Sequence, residues 1–311
     1  MRGAFLEELS RLEDFLISVT AIRTVQPPGL AQLEIRTITS EVAREAILNA
    51  VAHRDYFIRQ GVVVAVHRSG VEVTNPGGFI GGVTPDNVLH HRAVHRNELL
   101  ARAFQNLRLV DRVGMGVNRM YEGLLRSGAR PPSFEADQGS VSVRLPTDAS
   151  DDFVAWIYEH ERRNGPLSLN DLVVLRRVTD AGTLDRWTAA HQLQLDEHSA
   201  ADHLAEMRSR GLLVARGRGR GTSYVLPRPL SERLRGRAAT DADRPLEMEG
   251  VRLKVLELLR EREHLTNAEI RDFSGYSRAQ VLAIEKDLER QGLIEIKGRG
   301  RGAHIVLAPP E

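Results

Sequence analysis

The chain has 311 residues, 41% of them apolar and 27% charged, with a formal net charge of +1. That length and apolar content accommodate two or three ordinary domains with cores of their own, and wholesale disorder is not the expectation. The absence of cysteine removes disulfides, thiolate nucleophiles and Cys-ligated zinc, and fits a reducing, cytoplasmic setting. From the N-terminus, Phe5, Leu6, Leu9, Leu12, Phe15 and Leu16 fall at helical spacing among Glu7, Glu8, Arg11, Glu13 and Asp14. This predicts a packing helix over 5–16, used in a core or a dimer, and not the unbroken apolar run of a signal peptide. No stretch approaches the roughly 18 apolar residues of a membrane span, so no membrane partner is expected.

A second helix is predicted from a Ser40 N-cap through Arg44 to Tyr56. Glu45, Asn49 and His53 are spaced i, i+4, i+8 and line one side of it, while Val42, Ala46, Ile47 and Ala50 can face a core. A carboxylate aligned with an amide suits metal-nucleotide chemistry. The carboxylate can orient or deprotonate a water, the amide oxygen can complete a Mg²⁺ shell, and the imidazole can meet a phosphate. Strands over Val62–His67 and Val71–Thr74, joined by a Ser69-Gly70 turn, run into Asn75-Pro76-Gly77-Gly78-Phe79. His91 and His95 offer i, i+4 metal ligands if their segment is helical; the competing reading is a basic nucleotide lid in which Arg96 reaches phosphate. After an apolar helix containing Leu99, Leu100, Ala103 and Phe104 comes Asp111-Arg112-Val113-Gly114-Met115-Gly116. Glycines at a helix start admit phosphates to backbone N–H groups. Singly these signals are common, and a Glu/Asn pair at i, i+4 is ordinarily a solvated helix face; their order carries the weight.

A helix with Glu-x₃-Asn, a strand pair, Asn-Pro-Gly-Gly and a Gly-Met-Gly helix start together resemble the ATP-binding domain shared by gyrase, histidine kinases and MutL, the GHKL or Bergerat fold. More narrowly, Arg44-Glu45 through Tyr56, Asn75-Pro76-Gly77, Arg96-Asn97 and Gly114-Met115-Gly116 resemble transcriptional regulators that carry a RecG-helicase-C-terminal-like domain, over about 1–146. The resemblance implies Glu45 as general base, Asn49 as Mg²⁺ ligand, His53 as phosphate contact, Gly77 and Gly78 beside adenine, and Gly114 and Gly116 closing on phosphates. Asn75 stands where the broader family has an Asp that accepts from the adenine amine; its carbonyl oxygen can still accept, without charge assistance. No Gly-x₄-Gly-Lys-Ser/Thr phosphate loop occurs, so a helicase motor is not expected.

The C-terminal half contains a repeat offset by 81 residues. Arg210-Gly211-Leu212-Leu213 runs into Arg216-Gly217-Arg218-Gly219-Arg220-Gly221, and Gln291-Gly292-Leu293-Ile294 runs into Lys297-Gly298-Arg299-Gly300-Arg301-Gly302. Each copy follows helical segments: 169–179, 183–192 and 196–209 in the first, and in the second a helix from Val251 to Leu259, one capped by Thr266 and one capped by Ser277 that buries Val281, Ile284 and Leu288. The order resembles the winged helix-turn-helix superfamily over about 151–228 and 246–309. Alternating glycines let a hairpin tip approach DNA while Arg216, Arg218, Arg220, Lys297, Arg299 and Arg301 reach phosphates or the minor groove. Six such contacts give a slope of log K against log salt of about −5. Base reading falls to Ser277, Arg278 and Gln280, because the corresponding segment of the first copy is acidic at Asp196, Glu197 and Asp202. The plainer readings are a protein-interaction module and a solvated turn.

The expected fold is thus α+β: a Bergerat-type ATP-binding domain with its N-terminal helix over 1–148, winged helices over 149–230 and 246–311, and a linker over 231–245. The expected function is a cytoplasmic transcriptional regulator in which ATP occupancy modulates binding to double-stranded DNA. The expected ligands are ATP or ADP with Mg²⁺, and a homodimer is an open possibility. The alternatives are a weak Mg-dependent, DNA-dependent ATPase acting in repair or stress response, and a degenerate scaffold that binds no nucleotide.

Overall fold

A computed structural model describes residues 5–29, 31–109, 114–217, 221–237, 239, 248–262, 264–274, 276, 278–298 and 304–308. The chain divides into two compact units, Met1–Leu212 and Leu213–Glu311. Helices and antiparallel sheets are mixed in an α+β architecture.

In the first unit, α1 (Phe5–Ser18) is a packing helix: Leu16 is fully buried, and Leu9, Leu12 and Ile17 pack against the same core. Helix α2 (Ser40–His53) is capped one residue earlier than expected, at Thr39. Thr39 Oγ1 accepts from the Val42 N–H at 3.3 Å, whereas the Ser40 hydroxyl donates to Glu13, which also receives Arg44. Either hydroxyl could cap by composition; Glu13 on α1 claims the second. Strands β1 (Arg23–Val25) and β2 (Leu33–Ile35) form a small antiparallel pair.

The main sheet contains β3 (Val63–His67), β4 (Gly70–Pro76), β5 (Ser133–Ala136) and β6 (Ser140–Pro146) in the order β3-β4-β6-β5, every pairing antiparallel. His67 pairs with Gly70, so the turn is Arg68-Ser69 and Gly70 belongs to the strand, one residue away from the sequence expectation. One face is covered by α2 and by α4 (Gly116–Arg126). Val42, Ala46, Ile47, Met120 and Leu124 meet Val71, Val73, Val143 and Leu145 in one core. This is the apolar side of α2 that the 3.6-residue period selects, and it turns Glu45, Asn49 and His53 away from the centre of the core. Helix α3 (Glu98–Asn106) lays Phe104 against Leu48 and Ala52. Just before it, Asn97 Nδ2 donates to the carbonyls of Ala52 and Arg54 at 2.9 and 2.8 Å, satisfying the otherwise orphaned C-terminus of α2.

The rest of the unit is helical: α5 (Asp151–Asn164), α6 (Leu169–Ala181), the short β7 (Leu184–Asp185), α7 (Arg186–Leu193) and α8 (Glu197–Ser209). The starts of α6, α7 and α8 are fixed by Ser168, Asp185 and Asp196, whose side chains accept from N-terminal N–H groups.

The second unit holds the antiparallel pair β8 (Val214–Arg216) and β9 (Ser223–Val225), then α9 (Arg228–Arg235), α10 (Met248–Glu261), β10 (Leu265–Thr266), α11 (Asn267–Ser274), α12 (Arg278–Arg290), β11 (Ile294–Lys297) and β12 (His304–Leu307). Strands β10, β12 and β11 make a three-stranded antiparallel sheet. Thr266 and Glu269 form the reciprocal cap expected at the start of α11. Val251 and Val255 of α10, Ile270 of α11, and Val281, Ile284 and Leu288 of α12 close on Ile294 and Ile305 of the sheet. Among the described residues no helix is long and apolar enough to cross a membrane.

Candidate functional site

A cavity of about 170 Å³ lies between α2, strands β4 and β6, the segment 78–96 and the start of α4. Its lining includes Glu45, Asn49 and His53 from successive turns of α2, Asn75 and Gly78 from the end of β4 and just beyond, Arg96, and Gly114 and Gly116. Eight of the nine residues that the sequence assigns to nucleotide binding or chemistry therefore border one space. The ninth, Gly77, has φ +93° and donates its N–H to the Gly139 carbonyl at 2.7 Å. A Cβ on Gly78 would lie 2.4 Å from the Asp137 carbonyl, so this part of the wall is backbone by necessity.

Glu45 is 6% exposed and accepts from Arg119 Nη1 at 2.9 Å. Arg119 escaped the sequence reading; the only signal available was its position three residues after Gly116, one turn into the helix. Burial of a carboxylate demands a cation or several donors, and α4 supplies the cation. Gly116 is equally constrained: a Cβ there would stand 2.4 Å from Glu45 Oε2 and 3.2 Å from Asn49 Nδ2. The first residue of α4 therefore lies against both polar side chains, and no side chain caps that helix terminus. Asn49 Nδ2 is buried without a hydrogen-bond partner, an arrangement that native interiors seldom retain without a use.

Burial, reinforced by repulsion from His95 and Arg96, lowers the pKa of His53 to about 4, and its ring centroid lies 5.7 Å from that of His95. At neutral pH His53 thus offers a neutral imidazole and no charge. Arg96 donates to Asp55 at 3.2 Å and to the Gly78 carbonyl at 2.8 Å, which anchors it at the glycine turn. Asn75, 6% exposed, directs Nδ2 toward the Pro76 carbonyl at 3.4 Å. The stretch containing His91 and His95 is not helical, so the condition for their alignment as i, i+4 ligands fails. Among the described residues no group of three or more His, Asp or Glu side chains is arranged to hold a metal ion.

In the second unit, the N-terminal turn of α12 exposes Arg278 and Gln280, and Lys297 ends β11. Arg216 ends β8. Gly217 and Gly298, which follow β8 and β11, have φ +83° and +82°, so the two copies share a backbone conformation at these glycines. Arg218, Arg220, Ser277, Arg299 and Arg301 lie outside the described residues. The acidic start of α8 has a local use: Asp196 accepts from the His198 and Ser199 N–H groups at 3.0 Å, and His198 lies 3.6 Å from Asp202.

Residues 60–145 match the family described as "Putative ATP-dependent DNA helicase recG C-terminal", and residues 248–295 match the winged helix-turn-helix DNA-binding family. No curated protein matches the chain. Among solved structures, the DIP2311 protein from Corynebacterium diphtheriae is similar in fold, with a TM-score of 0.60 and 24% identity. The match covers 98% of this chain and 54% of that one, so this chain spans about half the length of that relative. The chain joins, in order, a RecG-C-terminal-like ATPase-type domain and a winged helix-turn-helix DNA-binding domain.

Proposed function

We propose that this protein is a DNA-binding regulator of transcription whose GHKL-type domain, over 1–148, binds ATP or ADP with Mg²⁺, and whose nucleotide occupancy sets its affinity for double-stranded DNA. The observation that carries this reading is the convergence of Glu45, Asn49 and Gly116 on one cavity wall, with Asn49 Nδ2 buried and unpartnered. The donor set fits the ligand. Asn49 Oδ1 and the Glu45 carboxylate are hard oxygen donors of the kind Mg²⁺ takes, and the uncapped start of α4 at Gly116 offers backbone N–H groups to phosphate. Bound Mg²⁺ would neutralise phosphate charge between these groups. Asn75, whose amide nitrogen is directed to Pro76, keeps Oδ1 for the adenine amine. His53, neutral at pH 7, donates or accepts a hydrogen bond at the polyphosphate without adding a charge.

Binding, more than turnover, is favoured by the Arg119 contact. One Glu45 oxygen is held at 2.9 Å by the guanidinium, and the lone pair engaged there is not offered to a water. On the DNA side, Arg278 and Gln280, with Ser277, are the proposed base readers. Arg216, Arg218, Arg220, Lys297, Arg299 and Arg301 are the proposed phosphate contacts of two winged helices over 149–230 and 246–311. Isothermal titration of the full chain with Mg-ATP tests the ligand: wild type binds and Asn49→Leu loses at least about tenfold in affinity. No heat of binding for wild type would overturn the nucleotide reading.

A further inference from the structure

The polar contacts least expected from the sequence join α7 to the segment that roofs the cavity. Gln194 Oε1 accepts from the Leu89 N–H at 2.7 Å, and Gln194 Nε2 donates to the Pro85 carbonyl at 2.9 Å. Those two backbone groups are the i and i+4 partners that one turn of helix would pair directly; the carboxamide of Gln194 stands between them and satisfies both. Beside it, His90 Nε2 lies 2.9 Å from the Leu193 carbonyl, and His191 Nε2 lies 3.6 Å from Asp86. The roof is itself knotted: Asn87 Oδ1 accepts from the Thr84 N–H and Asn87 Nδ2 donates to the Gly82 carbonyl. Val83, Val88 and His91 of the same segment line the cavity.

Gln194 holds this position at a conformational cost. It is the C-cap of α7, with φ 55° and ψ 37° in the left-handed region, where glycine is the ordinary occupant. The repeat offset of 81 residues puts Gly275 at the matching point of the second copy. At this position the first copy accepts strain for a side chain that reaches the cavity roof.

We infer that Gln194 is a positioning residue that clamps the α7–α8 turn to the roof of the cavity, so that occupancy of the cavity is transmitted to α8. The first helical trio is then a transducer, which agrees with an α8 start whose acidic groups serve its own cap, Arg186 and His198. The identity of the ligand rests on the nucleotide reading above; the clamp itself does not.

The test is hydrogen–deuterium exchange on the full chain, wild type against Gln194→Gly, which relieves the left-handed strain while removing both hydrogen bonds. Without ligand, Gln194→Gly is expected to raise exchange over 83–91 by about tenfold, the factor for two hydrogen bonds of ordinary net worth, with no loss of thermal stability. Unchanged exchange there overturns the clamp. With Mg-ATP, wild type gains protection over both 114–118 and 191–198, and Gln194→Gly gains it only over 114–118. Protection over 191–198 that persists in Gln194→Gly, or is missing from a wild type protected over 114–118, overturns the transmission. Absence of protection over 114–118 in both proteins instead counts against the nucleotide reading, and the ligand-free comparison still decides the clamp.

Discussion

Arg119 Nη1 sits 2.9 Å from Glu45 Oε1, a guanidinium from the first turn of α4 set against the buried carboxylate of α2. The pair ties together the two helices that cover the main sheet, beside the wall of the cavity. It also makes the environment of Glu45 depend on a residue carried by the first turn of α4.

Arg119→Ala should therefore destabilise the protein by about 2 kcal/mol. That is below the roughly 3–5 kcal/mol of a fully buried pair, because the Arg119 side chain is 30% exposed. Urea denaturation of Arg119→Ala, Glu45→Gln and the double variant should give a coupling of about 0.5 kcal/mol or more; additive effects would show that the contact contributes nothing.

Asn49 presents the opposite case. Its Nδ2 has no partner, so Asn49→Leu, of similar volume, should leave stability unchanged or raise it by about 1 kcal/mol. A marked fall in melting temperature would identify Asn49 as structural and remove the reason to assign it a ligand.

Gly116→Ala inserts a methyl 2.4 Å from Glu45 Oε2. The expected loss is about 1–3 kcal/mol. Gly61, with no atom within 4 Å of a built Cβ, is the control: Gly61→Ala should stay within about 0.5 kcal/mol of wild type. Equal melts for the two variants would contradict the close approach of α4 to α2.

His53 makes stability depend on pH. Its pKa is lowered from 6.5 to about 4 in the folded state, so between those values the unfolded chain binds more protons and acid favours unfolding. The contribution is complete above pH 6.5, falls as pH drops toward about 4, and levels off below; its ceiling is about 3 kcal/mol. Denaturation midpoints measured at pH 7 and pH 4.5 should differ less in His53→Gln than in wild type.

On the DNA side, Lys297→Ala should lower affinity evenly across sequences and flatten the salt slope by about 1. Arg278→Ala should instead cost about 1–3 kcal/mol on a preferred site and little on others. Binding measured over a salt series with two DNA sequences separates these outcomes.

Patterns of local origin were legible in the sequence. The 3.6-residue period gave both sides of α2, core for Val42 and Ala46 and cavity for Glu45 and Asn49, and the glycine pairs marked where the backbone must approach closely. The repeat of 81 residues gave the order of α10, α11 and α12 and of the strands after them. Contacts made across the fold were not legible. Arg119 meets Glu45, and Gln194 meets Leu89, across separations of 74 and 105 residues, and neither carries a local motif. The errors were also local competitions: Thr39 took the cap expected of Ser40 because Glu13 engaged the latter, and strand pairing drew Gly70 out of the turn. The segment of His91 and His95 failed as a helix, and its metal reading failed with it.

The central claim is coupling between the cavity and DNA binding, and it requires a ligand with unequal affinity for two states of the protein. The direct measurement is the DNA affinity of the full chain at fixed ionic strength with and without Mg-ATP, alongside Asn49→Leu. The account predicts a change of about fivefold or more in wild type and none in Asn49→Leu. Equal DNA affinity of wild type with and without saturating Mg-ATP would contradict it.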